Sequence, residues 1–311
     1  MKFKSIKYFF EYLAFISFVS LIRFLPYSLA LNVGACLSFI AFILMRKTRR
    51  MVSERLAMVM GNNATDYELK RSTKDAFYYL VLNGIDLIRL DKFSDKQLRQ
   101  IVEIFPTLEQ IKETKMFENG GILATPHMGS WELGAVFFHK NIAPLTVITA
   151  KQHNPYIDKF FRKQREKIGI KSIERNAGMA LSVLSKLQKK QIVAILPDLR
   201  FSEAAIEVKF LNGIANINPG TAFLAKISNV PIFPCIITRK SRTLHKVVVH
   251  PPIFPNKNLD KTEDVKKMTH CFMGIFDKAI KENLPQWFWF NRRWILEPVP
   301  EPSGEKKEEK T

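Results

Sequence analysis

The sequence predicts an α/β fold in which a mainly parallel, mixed sheet is flanked by helices and preceded by an apolar, membrane-anchoring helical segment. The first observation is a series of apolar runs of strand length, at 121–124, 145–150, 191–198, 230–238 and 244–250. The second is that helical patterns separate several of these runs, which is typical of parallel sheets with helical crossovers. The third is the strongly apolar composition of residues 8–45.

The composition indicates a large globular chain with an anionic partner. The 311 residues are 47% hydrophobic, enough for one large domain or for one domain with an appendage. Lys and Arg number 48 against 29 Asp and Glu, so the formal net charge is +19. Such a charge attracts nucleic acid, a phospholipid surface or an acidic protein. We expect Cys36, Cys235 and Cys271 to be core thiols rather than disulfides or metal ligands.

Residues 1–50 form the predicted membrane anchor. Glu11 is the single charge between Tyr8 and Ile22, and Leu29 to Met45 contains seventeen residues without a charge. The second run reaches the lower limit for crossing a bilayer, and the first suits a membrane-lying helix, so the number of crossings stays open. Two buried core helices are the alternative. The basic cluster at 46–50 favours a cytoplasmic location for the domain that follows.

The main domain is predicted at 51–298 and a flexible, charged tail at 299–311. Residues 51–118 are expected to be helical, and the basic segment 156–171 is typical of a solvated helix face. The tail has little to bury, which predicts mobility.

A histidine and a glutamate lie five residues apart after the first apolar run. Thr125 and Pro126 end that run, so His127 is expected in a loop and Glu132 in the first turn of a helix that Ser130 caps. A carboxylate beside a histidine fixes the imidazole tautomer and stabilises the imidazolium, so that the other ring nitrogen can take a proton from an alcohol. The pair therefore suggests hydroxyl activation. A satisfied polar pair without catalytic function is the alternative.

Other catalytic templates fit this stretch less well. The sequence lacks the glycine two residues before Ser130 that a nucleophile elbow requires, and it contains no HExxH zinc helix. Ser130 is therefore interpreted as a cap rather than a nucleophile, and no metal or cofactor is expected.

Two further segments carry candidate site residues. The apolar run 191–198 ends in Asp198, and the carboxyl ends of such strands are where α/β sheets bind ligands, although a helix cap is an alternative role. Near the end of the chain, residues 286–294 combine five aromatic side chains with Arg292 and Arg293. Aromatics beside arginine suit a membrane interface, base stacking or a phosphorylated headgroup, while core packing explains some of the rings.

Taken together, the HxxxxE motif at 127–132, the Leu-Pro-Asp at 196–198, the segment 208–220 and the aromatic, arginine-containing segment 287–294 resemble the bacterial lipid A biosynthesis acyltransferases, the late lauroyl and myristoyl transferases. The resemblance covers nearly the whole chain. It implies transfer of a fatty acyl group from acyl carrier protein to a hydroxyl of a Kdo-bearing lipid A precursor in lipopolysaccharide biosynthesis. It places this reaction at the cytoplasmic face of the bacterial inner membrane.

The resemblance also implies roles for individual residues. His127 and Glu132 match the family's motif and would activate the acceptor hydroxyl, and Asp198 matches its acidic strand end. Arg165 lies about where the family has an essential arginine, although Arg162 or Arg175 could take that place. The implied substrate contacts are Ser130, Trp131, Arg292 and Arg293. The implied partners are acyl carrier protein, the lipid A precursor and an anionic membrane, without nucleic acid.

Two departures leave the substrate open. Leu199 and Arg200 follow the Pro-Asp where the family commonly has Gln or His, and the double-Phe-Gly segment reads Phe210-Leu211-Asn212-Gly213. One alternative is therefore an acyl-CoA-dependent enzyme acting on another glycolipid or a lysophospholipid. Another is a non-catalytic, basic membrane-binding module that uses the aromatic and arginine segment.

Overall fold

The computed structural model describes residues 2–62, 64–201, 203 and 205–297. The tail predicted at 299–311 lies outside these residues, as does residue 298 at the end of the predicted main domain.

The fold is α/β, as predicted, and is built on a seven-stranded sheet of order β1-β9-β8-β2-β5-β3-β4. Neighbouring strands are parallel except for the antiparallel pair β8 and β9. A separate antiparallel hairpin is formed by β6 and β7. The strands are β1 (Val102–Phe105), β2 (Gly121–Ala124), β3 (Leu145–Thr149), β4 (Lys171–Glu174), β5 (Ile192–Ile195), β6 (Ile206–Phe210), β7 (Gly213–Ile217), β8 (Ile232–Arg239) and β9 (His245–Val249).

Eleven α-helices lie in the described residues, and two short 3₁₀ turns, Leu90–Lys92 and Leu284–Gln286, follow the helices that end at Arg89 and Glu282. Thr65 and Glu68 form a reciprocal capping box at the start of the long helix Asp66–Arg89. The helices are α1 (Lys2–Phe24), α2 (Tyr27–Leu44), α3 (Arg46–Met60), α4 (Asp66–Arg89), α5 (Asp95–Ile101), α6 (Leu108–Glu113), α7 (Trp131–Asn141), α8 (Pro155–Ile168), α9 (Met179–Gln188), α10 (Gly220–Ser228) and α11 (Lys261–Glu282).

Strand β1 departs from the prediction that residues 51–118 are helical. It has four residues, it pairs with β9 at the edge of the sheet, and one of its residues, Val102, is buried. A strand so short and so exposed carries no apolar run that distinguishes it from the helices on either side.

The core lies on both faces of the sheet because the central strands are buried on both sides. Ile122, Ala124 and Val193 belong to the core cluster on one face, while Leu123 and Ile192 belong to the cluster on the other. This alternation is the period of two expected of strands, within segments that are apolar throughout, as in parallel sheets.

The pairing of β2 with β5 positions the candidate site. The two strands run parallel, with Gly121 opposite Ile192 and Ala124 opposite Ile195, so they end side by side. The segment that contains His127 and the segment that contains Asp198 therefore both follow the carboxyl ends of adjacent strands and lie close together, although they are far apart in the sequence.

The apolar N-terminal segment forms two helices that are packed on one side. Helix α2 is long and apolar enough to cross a membrane, judged by length and composition. Its face with Ala30, Leu31 and Gly34 is buried against α4, whereas Phe39 and Leu44 are about half to three-quarters exposed.

The expectation of three core thiols is wrong for two of the cysteines: Cys235 is buried, but Cys36 on α2 and Cys271 on α11 are exposed.

Candidate active site

His127 and Asp198 form the central pair of the site. The Nδ1 atom of His127 lies 2.7 Å from Oδ1 of Asp198, and the backbone N–H of His127 donates to Oδ2 over 2.7 Å. Asp198 is almost completely buried, whereas the His127 side chain is 20% exposed. The carboxylate therefore fixes both the backbone and the ring of the histidine.

Trp287 completes the hydrogen bonding of the carboxylate. Its indole Nε1–H donates to Oδ2 of Asp198 over 2.8 Å. Burial disfavours the charged form of Asp198, but its electrostatic interaction with His127 and the hydrogen bonds from His127 and Trp287 outweigh burial and hold the pKa of Asp198 below its usual value. Asp198 is thus an ionised acceptor. We infer that Nδ1 of His127 carries the hydrogen and that Nε2 is left as the proton acceptor.

Glu132 is not the hydrogen-bonding partner of His127, contrary to the expected pairing. The carboxylate that fixes the imidazole comes from the end of the adjacent strand β5, because the sheet brings Asp198 directly beside the loop. Glu132 lies in the first turn of α7, half-buried, and lines the same cavity as His127. Burial raises the pKa of Glu132, and the positive charge of Arg165, together with a smaller electrostatic interaction with His127, opposes that rise.

The loop that carries His127 is fixed by the chain on three sides. Thr125 N–H donates to the carbonyl of Ile195, and Phe288 N–H donates to the carbonyl of His127 over 2.8 Å. Gly129 N–H donates to the Gln286 carbonyl over 3.0 Å, and the Asn83 side chain donates to the Gly129 carbonyl over 2.7 Å. The histidine therefore sits in a loop with little freedom to move.

Gly129 is required by the shape of this loop. Its φ is +57°, and a Cβ at this position would lie 2.3 Å from the backbone oxygen of Ile237. Only glycine combines a left-handed backbone with so close an approach to a neighbouring strand.

Ser130 and Trp131 lie beside the pair in different ways. Ser130 is buried and stands at the N-cap position of α7, as predicted, but its side chain makes no capping hydrogen bond. The Trp131 ring meets the His127 ring edge-on, with centroids 5.4 Å apart, and Phe288 lies against Trp131 at 6.0 Å. These two aromatic rings shield the imidazole and form part of the cavity wall.

Two cavities meet at Trp131 and Glu132. The larger, of about 410 Å³, is lined by His127, Glu132 and polar and apolar side chains from the ends of the central strands. The smaller, of about 190 Å³, lies between α4 and the segment 286–290, and its lining is mostly apolar. Its walls include Tyr79, Leu80, Leu87, Trp131, Phe288 and Phe290.

The structure separates the candidate arginines. Arg165 and Arg175 line the larger cavity, and Arg165 acts on Glu132 electrostatically while its Nε–H donates to the Ser172 hydroxyl over 3.1 Å. Arg162 is exposed and is not among the lining residues. Of the three arginines considered from the sequence, Arg165 is therefore the one that both lines the cavity and acts electrostatically on Glu132.

Arg292 and Arg293 are exposed, and they line neither of these two cavities. The aromatic segment before them is mainly core: Trp287 and Trp289 are buried, and Arg55 donates to the carbonyls of Trp289 and Asn291 over 2.7 Å each. Contact of the two arginines with a substrate stays a prediction.

Sequence reasoning missed three residues that hold the site together. Asn83 and Gln286 fix the loop at Gly129, and Arg239 in turn donates to Asn83 and pairs with the buried Asp86. Trp287 lies in the aromatic run noted from the sequence, but only the fold reveals its hydrogen bond to Asp198. In the described part of the chain, no cluster of three or more His, Cys, Asp or Glu side chains could hold a metal ion.

Comparison with known proteins places these features in a family. The sequence model of the bacterial lipid A biosynthesis acyltransferases matches residues 1–295, which includes the histidine loop, the end of β5 and the aromatic segment. The chain belongs to this family. The membership confirms the family resemblance found from the sequence motifs.

Curated relatives of the chain are phosphatidylinositol mannoside acyltransferases. The protein of that name from Mycobacterium tuberculosis strain H37Rv is 21% identical over 217 residues, covering 68% of this chain and 66% of the relative. The one from Mycolicibacterium smegmatis is 23% identical over 183 residues, covering 57% of this chain and 58% of the relative. The chain thus aligns with somewhat less than two-thirds of the length of these relatives.

Proposed function

We propose that this chain is a membrane-associated acyltransferase that moves a fatty acyl group from a thioester to a hydroxyl group of a glycolipid. The observation that carries the proposal is the buried, ionised Asp198 that orients His127 at the wall of a cavity. Family membership and the two mycobacterial relatives support the reaction class and a glycolipid acceptor.

The chemistry begins with the acceptor hydroxyl. His127 Nε2 takes the hydroxyl proton while the oxygen attacks the thioester carbonyl, and Asp198 stabilises the imidazolium that forms. The resulting tetrahedral intermediate carries a negative charge on the former carbonyl oxygen. Its collapse breaks the carbon–sulfur bond, and the proton on His127 neutralises the departing thiolate. The ester and a free thiol are the products, and the histidine returns to its starting state.

Arg165 and Glu132 supply the electrostatic surroundings of this step. A guanidinium in the cavity wall can stabilise the oxyanion or a headgroup phosphate, and the presence of Arg165 in that wall supports this role for it. In this scheme Glu132, on which Arg165 acts electrostatically, positions the arginine rather than orienting the histidine. Arg175, which lines the same cavity, is a second cation for an anionic headgroup.

The smaller cavity suits the acyl chain. Trp131 and Glu132 form part of its wall, Trp131 also contacts the histidine, and its lining is mostly apolar. A fatty acyl chain placed there would be shielded from water while its thioester faces His127.

The specific substrates form the finer part of the proposal. The donor is acyl carrier protein and the acceptor a Kdo-bearing lipid A precursor, at the cytoplasmic face of the bacterial inner membrane. The net charge of +19 favours both an acidic carrier protein and an anionic membrane surface. A phosphatidylinositol mannoside is the alternative acceptor, because the two curated relatives bear that name.

A competition assay tests the proposal. Purified protein in mixed micelles receives equal amounts of acyl carrier protein and coenzyme A loaded with differently labelled acyl chains. Kdo-bearing tetra-acyl lipid A precursor and phosphatidylinositol mannoside are offered as acceptors. We expect ester formation on a glycolipid, with a loss of at least about 10²-fold in His127→Ala. Preference for carrier protein and for the lipid A precursor would support the finer proposal.

The opposite results are equally clear. Folded wild-type protein that acylates neither glycolipid from either donor would overturn the proposed reaction. Transfer that persists in His127→Ala would mean that the active site lies elsewhere. The non-catalytic alternative predicts that His127→Ala leaves lipid binding unchanged, whereas Arg292→Ala with Arg293→Ala weakens it in a salt-dependent way.

A further inference from the structure

A groove of about 720 Å³ runs between α1 and α8, apart from the two cavities of the candidate active site. One wall is apolar and comes mainly from α1, with Tyr12, Ile16, Val19 and Phe24. The other wall is basic. Its cations come from the end of α1, the 3₁₀ turn and α8: Arg23, Lys92, Lys159, Lys163 and Lys167.

The groove is lined by one acidic side chain, and this carboxylate is already hydrogen-bonded to neighbouring side chains. Asp91 accepts hydrogen bonds from Arg23 over 2.7 Å, from Lys167 over 3.1 Å and from Gln164 over 3.2 Å. These bonds outweigh the effect of burial and hold the pKa of Asp91 at about 2. Asp91 therefore organises the floor of the groove, where it binds Arg23 and Lys167 and offsets one of their two positive charges.

Three other lysines of the groove do not bind Asp91. Lys92, Lys159 and Lys163 are exposed, and none of them pairs with an acid in the part of the chain that the structure describes. Three positive charges around one concave surface attract an anion with several oxygen atoms, such as a phosphate group.

The apolar wall continues onto an exposed apolar surface. Phe24 is 87% exposed at the end of α1, and Phe10, Leu13 and Leu21 on the same helix are about half exposed or more. The contact between Phe15 and Phe160, with ring centroids 5.3 Å apart, fixes α1 on α8 beneath the groove. A ligand in this groove meets cations on one side and hydrocarbon on the other.

We propose that the groove between α1 and α8 binds one anionic glycerophospholipid, with its phosphate at Lys159 and Lys163 and an acyl chain along Tyr12, Ile16 and Phe24. Free phosphate would use the cations but would leave the apolar wall in water. An acidic protein would meet the same lysines, but the apolar wall fits a lipid better. The site is separate from the acyl acceptor site and does not depend on the proposed reaction.

Calorimetry of the full chain in nonionic detergent tests the site directly. The probe is short-chain phosphatidylglycerol, titrated below its micelle concentration, with phosphatidylcholine of the same chains and inorganic phosphate as comparisons. We expect saturable binding of one phosphatidylglycerol per chain and much weaker binding of the other two. Loss of two lysine–phosphate contacts in Lys159→Gln with Lys163→Gln should raise the dissociation constant about 10- to 30-fold.

Two other variants separate a site from general charge. Lys266→Gln with Lys267→Gln removes the same charge from exposed positions on α11 and should leave the dissociation constant unchanged. Phe24→Ala tests the apolar wall and should weaken binding about threefold to tenfold, because an exposed ring can be truncated without loss of core packing. Circular dichroism and thermal unfolding of each variant check the fold.

Four results would overturn the proposal. Equal losses in the two double-lysine variants would indicate non-specific attraction, and equal affinity for phosphatidylcholine would remove the role of charge. Inorganic phosphate that binds as tightly as the lipid would indicate a free phosphate site. An acidic carrier protein that loses affinity in Lys159→Gln with Lys163→Gln, while phosphatidylglycerol does not, would make the groove a protein-docking surface.

Discussion

At the scale of single residues, the two carboxylates of the site have opposite electrostatic settings. Asp198 receives three hydrogen bonds and its pKa is lowered, whereas Glu132 makes no hydrogen bond to another described side chain and its pKa is raised by burial. A group whose ionisation is favoured by the fold stabilises it, and one whose ionisation is disfavoured destabilises it. The ionised Asp198 thus stabilises the folded state as well as orienting His127. The burial of Glu132, in contrast, lowers the free energy of unfolding when this carboxylate is ionised.

Glu132→Gln should therefore stabilise the protein at neutral pH. The folded-state pKa of Glu132 is raised, so the destabilisation grows as pH rises above the unfolded-state pKa of about 4.3 and is absent below it. We expect the melting temperature to rise by roughly 2 °C at pH 7.5 and to match the wild type near pH 4. Thermal unfolding across this pH range measures the difference.

Glu166→Gln is the matched control for this prediction. Glu166 is exposed on α8 and makes no ion pair with a described residue, so its replacement should leave the melting temperature unchanged at both pH values. A Glu132→Gln variant that melts lower than the wild type at pH 7.5 would show that its carboxylate makes a stabilising interaction that burial does not explain.

At the scale of elements, the loop between β2 and α7 depends on one glycine. Gly129→Ala would force a left-handed alanine whose Cβ lies 2.3 Å from the Ile237 carbonyl oxygen. We expect a loss of about 2 to 4 kcal/mol in the free energy of unfolding, together with reduced activity, because the loop that holds His127 must move. Denaturant unfolding and acyl-transfer rates measure both effects.

Gly274→Ala provides the comparison on α11. Nothing lies within 4 Å of the Cβ position there, and the helix gains from alanine, so the variant should be about 0.5 to 1 kcal/mol more stable than the wild type. Equal stability of the two alanine variants would contradict the strain assigned to the histidine loop.

The sequence predicted most of these elements because central parallel strands are apolar runs that stand out between helices. Strands β2, β3, β5, β8 and β9 were expected within a few residues of where they lie. The partner of His127 was chosen wrongly, since Glu132 is near in sequence whereas Asp198 becomes a neighbour only through the pairing of β2 with β5. The donors Asn83 and Trp287 also come from elements that are remote from the loop in sequence, and no local pattern indicates such contacts.

The smaller cavity makes a prediction about acyl chain length. Gly84 on α4 lines this cavity, and nothing lies within 4 Å of its Cβ position. A larger side chain in Gly84→Leu would occupy part of the 190 Å³ and leave room for fewer methylene groups. We expect competition between donors of different chain length to shift toward the shorter one. An unchanged preference would mean that the acyl chain lies elsewhere.

At the scale of the whole molecule, the packing of α2 bears on how the protein meets a membrane. Tyr27 donates to Asp86 over 2.8 Å, Arg242 donates to Asn32, Lys74 lies over the Phe39 ring, and Arg49 donates to the carbonyl of Phe42. A helix that crossed the bilayer would carry several of these charged partners into hydrocarbon, at a cost of several kcal/mol. We therefore expect α2 to lie in the interface, with its exposed apolar face toward the lipid.

Cys36 gives this prediction a direct measurement, because it is exposed near the middle of α2. A fluorophore on Cys36 in a Cys271→Ser background should be quenched more strongly by lipids labelled near the headgroup than by lipids labelled near the chain end. A fluorophore on Cys271 in a Cys36→Ser background should be quenched by neither. Strongest quenching of the Cys36 probe by the deep label would indicate a spanning helix.

The measurement that tests the central claim most directly is the single-turnover rate of acyl transfer in Asp198→Asn and Glu132→Gln, with His127→Ala as the reference. Asparagine removes the charge that orients and stabilises the imidazole of His127, so we expect Asp198→Asn to lose about 10²- to 10⁴-fold in rate with little change in acceptor affinity. Glu132→Gln should lose clearly less. A Glu132→Gln rate as low as that of His127→Ala, with Asp198→Asn close to the wild type, would make Glu132 the partner of the histidine and contradict this account.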